Sequence, residues 1–172
     1  MTTLITDLDT IRRRTEQAED ENINFRIFLK FKCSWSDKRL DAFVHELVRE
    51  VTAQIDCTQC AHCCRALEIS LCTEDLVRLA VHLEREVSDI ECEYAAPGKL
   101  CDRAFAQSPC AFLDGNRCSV YPARPRDCRE YPHLDKPAIR QRMLFILDQA
   151  AECPIIFNVL EGMKATLWRR RR

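Results

Sequence analysis

Apolar residues recur at helical spacing in four parts of the chain. The clearest stripe follows Ser36 or Asp37, either of which can cap a helix. A second stripe follows Thr73, an expected cap, with Glu74 and Asp75 in the first turn, where negative charge favours a helix. The residues of these two stripes are Leu40, Phe43, Val44, Leu47, Val51 and Ile55, and Leu76, Leu79, Ala80 and Leu83.

Both ends of the chain also favour helices. Residues 138–151 and 154–168 are predicted to be helical, and Pro154 suits a first helical turn. The segment Ile23–Phe31 alternates almost like a strand, but we predict a helix because a lone strand would lack a pairing partner. The faces expected to be buried carry Leu4, Leu8 and Ile11 at one end, and Ile155, Val159, Leu160 and Met163 at the other.

Between these helices the pattern changes. Six of the seven prolines fall between Pro97 and Pro137, and Asp114-Gly115-Asn116 is typical of a turn. Leu67–Leu71 is predicted to be a short extended piece, and Ser88-Asp89 the start of a short helix. An irregular stretch of about forty residues is unusual in a compact domain. We therefore expect that interactions other than those of an apolar core keep this stretch ordered.

Charge and composition exclude several classes of function. The 172 residues carry a formal net charge of −1, which gives no electrostatic reason to expect nucleic acid. No apolar run reaches membrane-spanning length, and the first ten residues lack the pattern of a secretory signal, so we expect a cytoplasmic protein without a membrane partner. We interpret the tail Trp168–Arg172 as a helix C-terminus, where positive charge is favourable.

Twelve cysteines dominate the remaining chemistry. In a reducing compartment clustered thiols are more often metal ligands than disulfides, and isolated ones such as Cys33, Cys72 and Cys92 are expected to pack as small apolar residues. Two residues between cysteines allow one turn to aim both sulfurs at one metal. Cys57, Cys60, Cys63 and Cys64 have this spacing, except that the last two are adjacent and are expected to point in different directions.

A second group of cysteines extends the candidate site. Cys110, Cys118, Cys128 and Cys153 bring the number of candidate thiolate ligands to eight, enough for one centre or for two four-cysteine centres. Thiolate centres retain negative charge, which Arg65, Arg124, Arg126 and Arg129 can offset. Arg124 and Arg129 are our preferred hydrogen-bond donors to the sulfurs, and His62 is expected to line the site.

The spacing indicates metal binding more strongly than it indicates which metal. An iron–sulfur cluster, of the 4Fe–4S type, is slightly favoured over zinc because Cys153-Pro154 resembles the end of a ferredoxin-type run. Three functions stay open: an electron-transfer protein or cluster carrier, a zinc-stabilised interaction module, and a cluster-bearing subunit of a modifying enzyme. Whether the protein is an enzyme, whether it has a protein partner, and its oligomeric state are also left open.

These observations predict a mainly α fold, a small helical domain around a cysteine-rich, loop-borne metal centre. The expected divisions are a helical region at 1–56, a metal-binding domain at 57–160, and the end of the C-terminal helix with the basic tail at 161–172. We expect them to form one compact domain overall.

The same residues resemble a known family, the YkgJ-type cysteine-cluster proteins, described as a zinc- or iron-chelating domain. The resemblance rests on the run Cys57 to Arg65, the piece Cys110 to Leu113, the stretch Cys118 to Arg129 and the pair Cys153-Pro154. The family usually has glycine in the first run, where this chain has Ala61. Flagellin lysine N-methylases carry a similar cysteine domain. The resemblance implies metal binding, and a protein methylase subunit is one form of the enzyme alternative.

Overall fold

The computed structural model describes residues 4–99 and 101–168. The mainly α fold predicted from the sequence is confirmed, with ten helices and two small β-pairs within those residues. No helix in this part of the chain combines the length and the hydrophobicity needed to cross a bilayer.

Long helices make up both ends of the described chain, and shorter helices and strands lie between them. The helices are α1 (Leu8–Gln17), α2 (Glu19–Phe31), α3 (Asp37–Thr52), α4 (Cys57–Cys60), α5 (Cys63–Ala66), α6 (Thr73–Leu83), α7 (Val87–Tyr94), α8 (Arg126–Glu130), α9 (Ile139–Gln149) and α10 (Pro154–Leu167). The strands are β1 (Ala95–Ala96), β2 (Ala104–Phe105), β3 (Leu113–Asp114) and β4 (Arg117–Cys118), and Tyr121–Ala123 forms a 3-10 turn before α8.

The chain divides into two compact units. One, which we call the helical unit, comprises residues 1–56 and 132–172, and the other, the cysteine unit, comprises Cys57–Tyr131. The boundaries at 56/57 and 160/161 proposed from the sequence, and the expectation of one compact domain, stay predictions. Residues 169–172 of the basic tail lie outside the described residues.

The helical unit buries the apolar stripes of its helices against one another. The predicted cap of α3 is confirmed, because the Ser36 hydroxyl accepts a hydrogen bond from the Arg39 amide. Helix α10 packs against α3 and α1, and α2 packs against α9. Ile23–Phe31 is helical, as predicted. Its apolar residues alternate as in a strand, but a strand without a pairing partner is not stable.

The cysteine unit has a smaller core between α6, α7 and the loops that follow them. Leu76 and Leu79 of α6 and Ile90 of α7 pack with Phe112 and Val120. The extended segment predicted at Leu67–Leu71 is confirmed, since its Ser70 bridges Ala104 of β2.

Three local expectations from the sequence are corrected or refined by the structure. Cys72, rather than Thr73, is the N-cap of α6, and the Asp75 carboxylate accepts hydrogen bonds from its amide and thiol. Cys92 is exposed rather than packed in a core, and Cys33 and Cys72 are half-buried. The proline-rich stretch contains a β-hairpin and α8, so its loops are shorter than the sequence suggests.

Candidate metal centre

The first cysteine run forms two single-turn helices joined by a tight corner. Helix α4 carries Cys57 and Cys60, and α5 begins with Cys63 and Cys64. The corner is made by Ala61, whose φ is +47° in the left-handed region. The Cys63 and Cys64 sulfurs lie 3.9 Å apart. The expectation that these neighbours point in different directions is therefore wrong, because a helical turn leaves their sulfurs within contact distance.

A hairpin brings two further cysteines to this run. The Cys110 amide donates a 2.9 Å hydrogen bond to the Cys64 carbonyl oxygen. Strands β3 and β4 then pair Leu113 with Cys118 across a turn in which Gly115 has a φ of +59°. Only a residue that tolerates the left-handed region suits that position, and glycine does so without strain. The turn predicted at residues 114–116 is confirmed.

Arg65 fastens the hairpin to the cysteine run. Its guanidinium donates hydrogen bonds to the Gly115 carbonyl oxygen at 2.7 Å, to Asn116 Oδ1 at 2.6 Å and to the Cys60 carbonyl oxygen at 3.2 Å. Asn116 Nδ2 in turn donates to the Gln59 carbonyl oxygen at 2.9 Å. The sequence predicts only a counter-charge for Arg65, whereas its hydrogen bonds give it a structural role.

Helix α8 supplies Cys128 and is held by two carboxylates. The Arg126 amide donates a 2.9 Å hydrogen bond to buried Asp75, and the Ser70 hydroxyl donates a 3.0 Å hydrogen bond to Asp127. The sequence analysis treats Asp75 only as a favourable charge in the first turn of α6. Its role in placing α8 depends on a contact across fifty-one residues, which no local pattern reveals.

These elements surround one cavity of about 190 Å³ within the cysteine unit. Cysteines from three separate segments contribute to its wall, together with the aromatic rings of Phe105, Phe112, Tyr121 and Tyr131. The cysteines that line it are Cys57, Cys63, Cys64, Cys110, Cys118 and Cys128.

Burial and mutual repulsion make three of these thiols, those of Cys110, Cys118 and Cys128, hard to ionise. Burial raises the pKa of Cys128 to about 12, with further contributions from the charges of Cys64, Cys110 and Cys118. Burial is also the main reason that the pKa values of Cys110 and Cys118 are raised, and Cys64 adds to both. Metal binding at these sulfurs would therefore displace protons.

The pKa of Cys64 is shifted in the opposite direction from those of Cys110, Cys118 and Cys128. A hydrogen bond from the Cys63 thiol lowers the pKa of Cys64 to about 7, despite an opposing effect of burial and with help from the Arg65 charge. A thiol with this pKa is about half ionised at neutral pH and more fully ionised at alkaline pH, and thiolate is the form that binds metals. Cys64 therefore ionises more readily than Cys110, Cys118 or Cys128.

The cysteine run and the hairpin lie within the part of the chain that matches a known protein family. The model of the family described as "CxxCxxCC: Putative zinc- or iron-chelating domain" matches residues 56–154, more than half of the chain. The chain belongs to this family. No curated protein and no solved structure gives a significant match.

The CxxCxxCC match includes every cavity-lining cysteine, but the structure distributes the eight candidates unevenly. Cys60 is half-buried on α4 and does not line the cavity. Cys153 is buried in the helical unit at the N-cap of α10. His62 is half-buried at the corner between α4 and α5 and is also not among the lining residues.

Two of the predicted arginines also border the cavity. Arg124 and Arg129 are among its lining residues, whereas the Arg126 side chain lies 4.0 Å from Glu130 on the surface of α8. The Arg124 guanidinium stacks 3.6 Å from the centroid of the Tyr121 ring. Its charge also acts to lower the pKa of Cys118, against the larger effect of burial.

The donor set suits the metals named in the CxxCxxCC description. Thiolates are soft ligands that favour zinc and iron–sulfur clusters over magnesium or calcium. Within the described residues, no three or more His, Cys, Asp or Glu side chains already stand close enough to hold a metal ion. The six sulfurs border a shared space, so their side chains would have to turn inward for a metal to bind.

Proposed function

We propose that the cysteine unit binds an iron–sulfur cluster in this cavity, with Cys64, Cys110, Cys118 and Cys128 as its ligands, and serves in electron transfer or cluster delivery. The observation that carries the proposal is the meeting of cysteines from three separate segments around one cavity. Membership of a zinc- or iron-chelating family supports metal binding in the same residues.

These four cysteines are favoured because all of them line the cavity and together they represent each of its three cysteine-bearing segments. The charge of Cys64 adds to the rise in the pKa of each of the other three, and burial is the larger cause of that rise. Cys64 lies on α5, Cys110 and Cys118 belong to the hairpin and the segment that leads into it, and Cys128 lies on α8. Cys63 would then support the site by donating a hydrogen bond to the Cys64 sulfur, as outer groups commonly do around metal ligands.

A cluster suits the space better than one ion does. The cavity could hold several water molecules, which is more room than a single ion needs among inward-turned thiolates. Arg124 and Arg129 at its border would offset the negative charge that a four-thiolate cluster retains. A cluster bound there would supply a one-electron redox centre, while the aromatic side chains in the wall would limit its contact with water.

A second candidate is a zinc-stabilised interaction module. In a tetrahedral zinc site with zinc–sulfur bonds of about 2.3 Å, the sulfurs are about 3.8 Å apart. The separation of 3.9 Å between the Cys63 and Cys64 sulfurs matches that distance. In this alternative both adjacent cysteines would bind one zinc ion, and no redox activity would follow.

Anaerobic purification with metal analysis and absorption spectroscopy separates these functions. A cluster gives iron and acid-labile sulfide, with a broad visible absorption that bleaches on reduction by dithionite. Zinc without visible absorption would favour the interaction module. A protein purified anaerobically that takes up neither metal would refute both.

Variants test the proposed ligand set. Cys128→Ser should lose most of the bound metal, whereas Cys92→Ser, at an exposed cysteine away from the cavity, should keep it. Cys60→Ser tests the cavity assignment, because Cys60 belongs to the motif but does not line the cavity. Metal content near wild type in Cys60→Ser would support the four-cysteine set, and a loss equal to that of Cys128→Ser would contradict it.

A further inference from the structure

The helical unit exposes a group of large apolar side chains on two adjacent helices. Ile23, Ile27 and Phe31 of α2 and Leu144 and Phe145 of α9 are each between 41% and 72% exposed. Among the described residues of this unit, these are all of the exposed large hydrophobic side chains. Single exposed apolar residues are ordinary, but a contiguous group often marks an interaction surface.

A groove runs beside this group. It has a volume of about 690 Å³ and is lined by residues of α1, α2 and α9, including Ile23, Leu144 and Phe145. Glu19 and Asp148 contribute carboxylates to the same wall. The surface is therefore a concave, largely apolar strip whose wall also carries two acidic residues.

The two ends of the exposed face of α2 carry charges of opposite sign. Glu19, Ile23, Ile27 and Lys30 are spaced by four, four and three residues, so they lie along one face of the helix. The face starts with an acidic residue, continues with two isoleucines and ends with a basic residue. Glu19 and Lys30 are both exposed.

We propose that this face, which we call the α2 face (Glu19, Ile23, Ile27 and Lys30), is a contact between two copies of the chain, with their α2 helices antiparallel about a two-fold axis. Antiparallel pairing places Glu19 opposite Lys30 of the second copy and Ile23 opposite its Ile27. Leu144 and Phe145 flank the contact beside the groove. A two-fold contact uses the same patch on both molecules, and the reversed charges at the ends of the face satisfy that requirement.

The charges favour a second copy over an unrelated partner. An unrelated partner helix could pair with the acidic start of the α2 face whether or not that face also ended in a basic residue. A second copy uses both charged ends of the face, so the pattern favours it. One short helix face and its flanking residues form a small contact, so the dimer should be weak and should dissociate on dilution. This inference is independent of metal binding, since all of its residues belong to the helical unit.

Charge reversal gives a selective test on the full chain. Sedimentation equilibrium under reducing conditions should show a dimer for the wild type at high concentration. Glu19→Lys and Lys30→Glu should each be largely monomeric, because each places like charges opposite one another. An equimolar mixture of the two variants should recover the dimer, since the substituted positions of the two copies then face each other with opposite charges.

Matched controls separate this outcome from general effects of charge. Lys38→Glu and Glu46→Lys reverse exposed charges on α3 and should leave the dimer intact. Circular dichroism should show wild-type helix content in all four variants. A monomeric wild type at every concentration would overturn the proposal. A mixture that stays monomeric, or single variants that dimerise as the wild type does, would also overturn it.

Discussion

The Cys110 amide donates its hydrogen bond to the carbonyl oxygen of Cys64, so the two cysteines are joined through their backbones at 2.9 Å. This bond needs neither sulfur. It connects the first cysteine run to the segment that leads into the hairpin, and Arg65 reinforces the connection by bonding Gly115. Hydrogen bonds that involve no sulfur therefore contribute to the arrangement of the two segments.

Replacement of Cys110 by serine should separate metal binding from folding. The backbone amide at this position can still donate to Cys64, so helix content should stay near wild type while metal content falls. A half-buried hydroxyl in place of the thiol should cost about 1–2 kcal/mol of unfolding free energy. Circular dichroism melts and metal analysis of the same sample test this, and collapse of the helical signal would show that the sulfur itself is needed for folding.

Ala61 occupies a backbone conformation that glycine adopts more easily. Its φ of +47° is unfavourable for a residue with a Cβ, and the residue is buried. Ala61→Gly should therefore raise the unfolding free energy by up to about 1 kcal/mol. Ala66→Gly, in the right-handed turn of α5, should instead lower it by about 0.5–1 kcal/mol. Urea denaturation of both variants tests the prediction, and a loss of stability in Ala61→Gly would contradict it.

Asp75 should make the cysteine unit sensitive to acid. Burial raises its pKa, but hydrogen bonds from the Arg126 amide, from Cys72 and from Arg78 outweigh burial and leave the pKa below the usual value of 3.8. A carboxylate with a lowered pKa stabilises the fold above its unfolded-state pKa, and the contribution disappears as pH falls through the lower folded-state value.

Asp75→Asn should cost about 2–3 kcal/mol at neutral pH, since the hydrogen bonds to a buried charge are lost or weakened. The difference from wild type should shrink as the pH is lowered below about 4. Asp89→Asn, in the first turn of α7, is the matched control and should change stability by less than about 1 kcal/mol. Denaturant melts across this pH range test both variants, and a difference that is independent of pH would contradict the assigned role.

Most of the helices were predictable because each depends on a local pattern. The stripe from Leu40 to Val51 and the cap at Ser36 define α3 without knowledge of the partner helix. The cap of α6 was not predictable, because a cysteine seldom replaces serine or threonine there and Cys72 acts together with Asp75.

The candidate site was predictable in its residue types but not in its geometry. Spacing identified the cysteines, whereas the cavity depends on pairings between distant segments, such as Cys110 with Cys64 and Arg126 with Asp75. Nothing local distinguishes Cys60, which lies outside the cavity wall, from Cys63, which lines it. The ligand roles of all eight cysteines stay predictions.

The division of the chain has a consequence for the order of events during synthesis. The helical unit is interrupted after Asp56 and resumes at Pro132, and its α3 packs against α10, which is translated much later. All of the cysteine unit is synthesised, and leaves the ribosome, ahead of α10. The nascent chain therefore contains every residue of the cysteine unit while α3 still lacks its main packing partner, so the helical unit is the later of the two to have all of its residues.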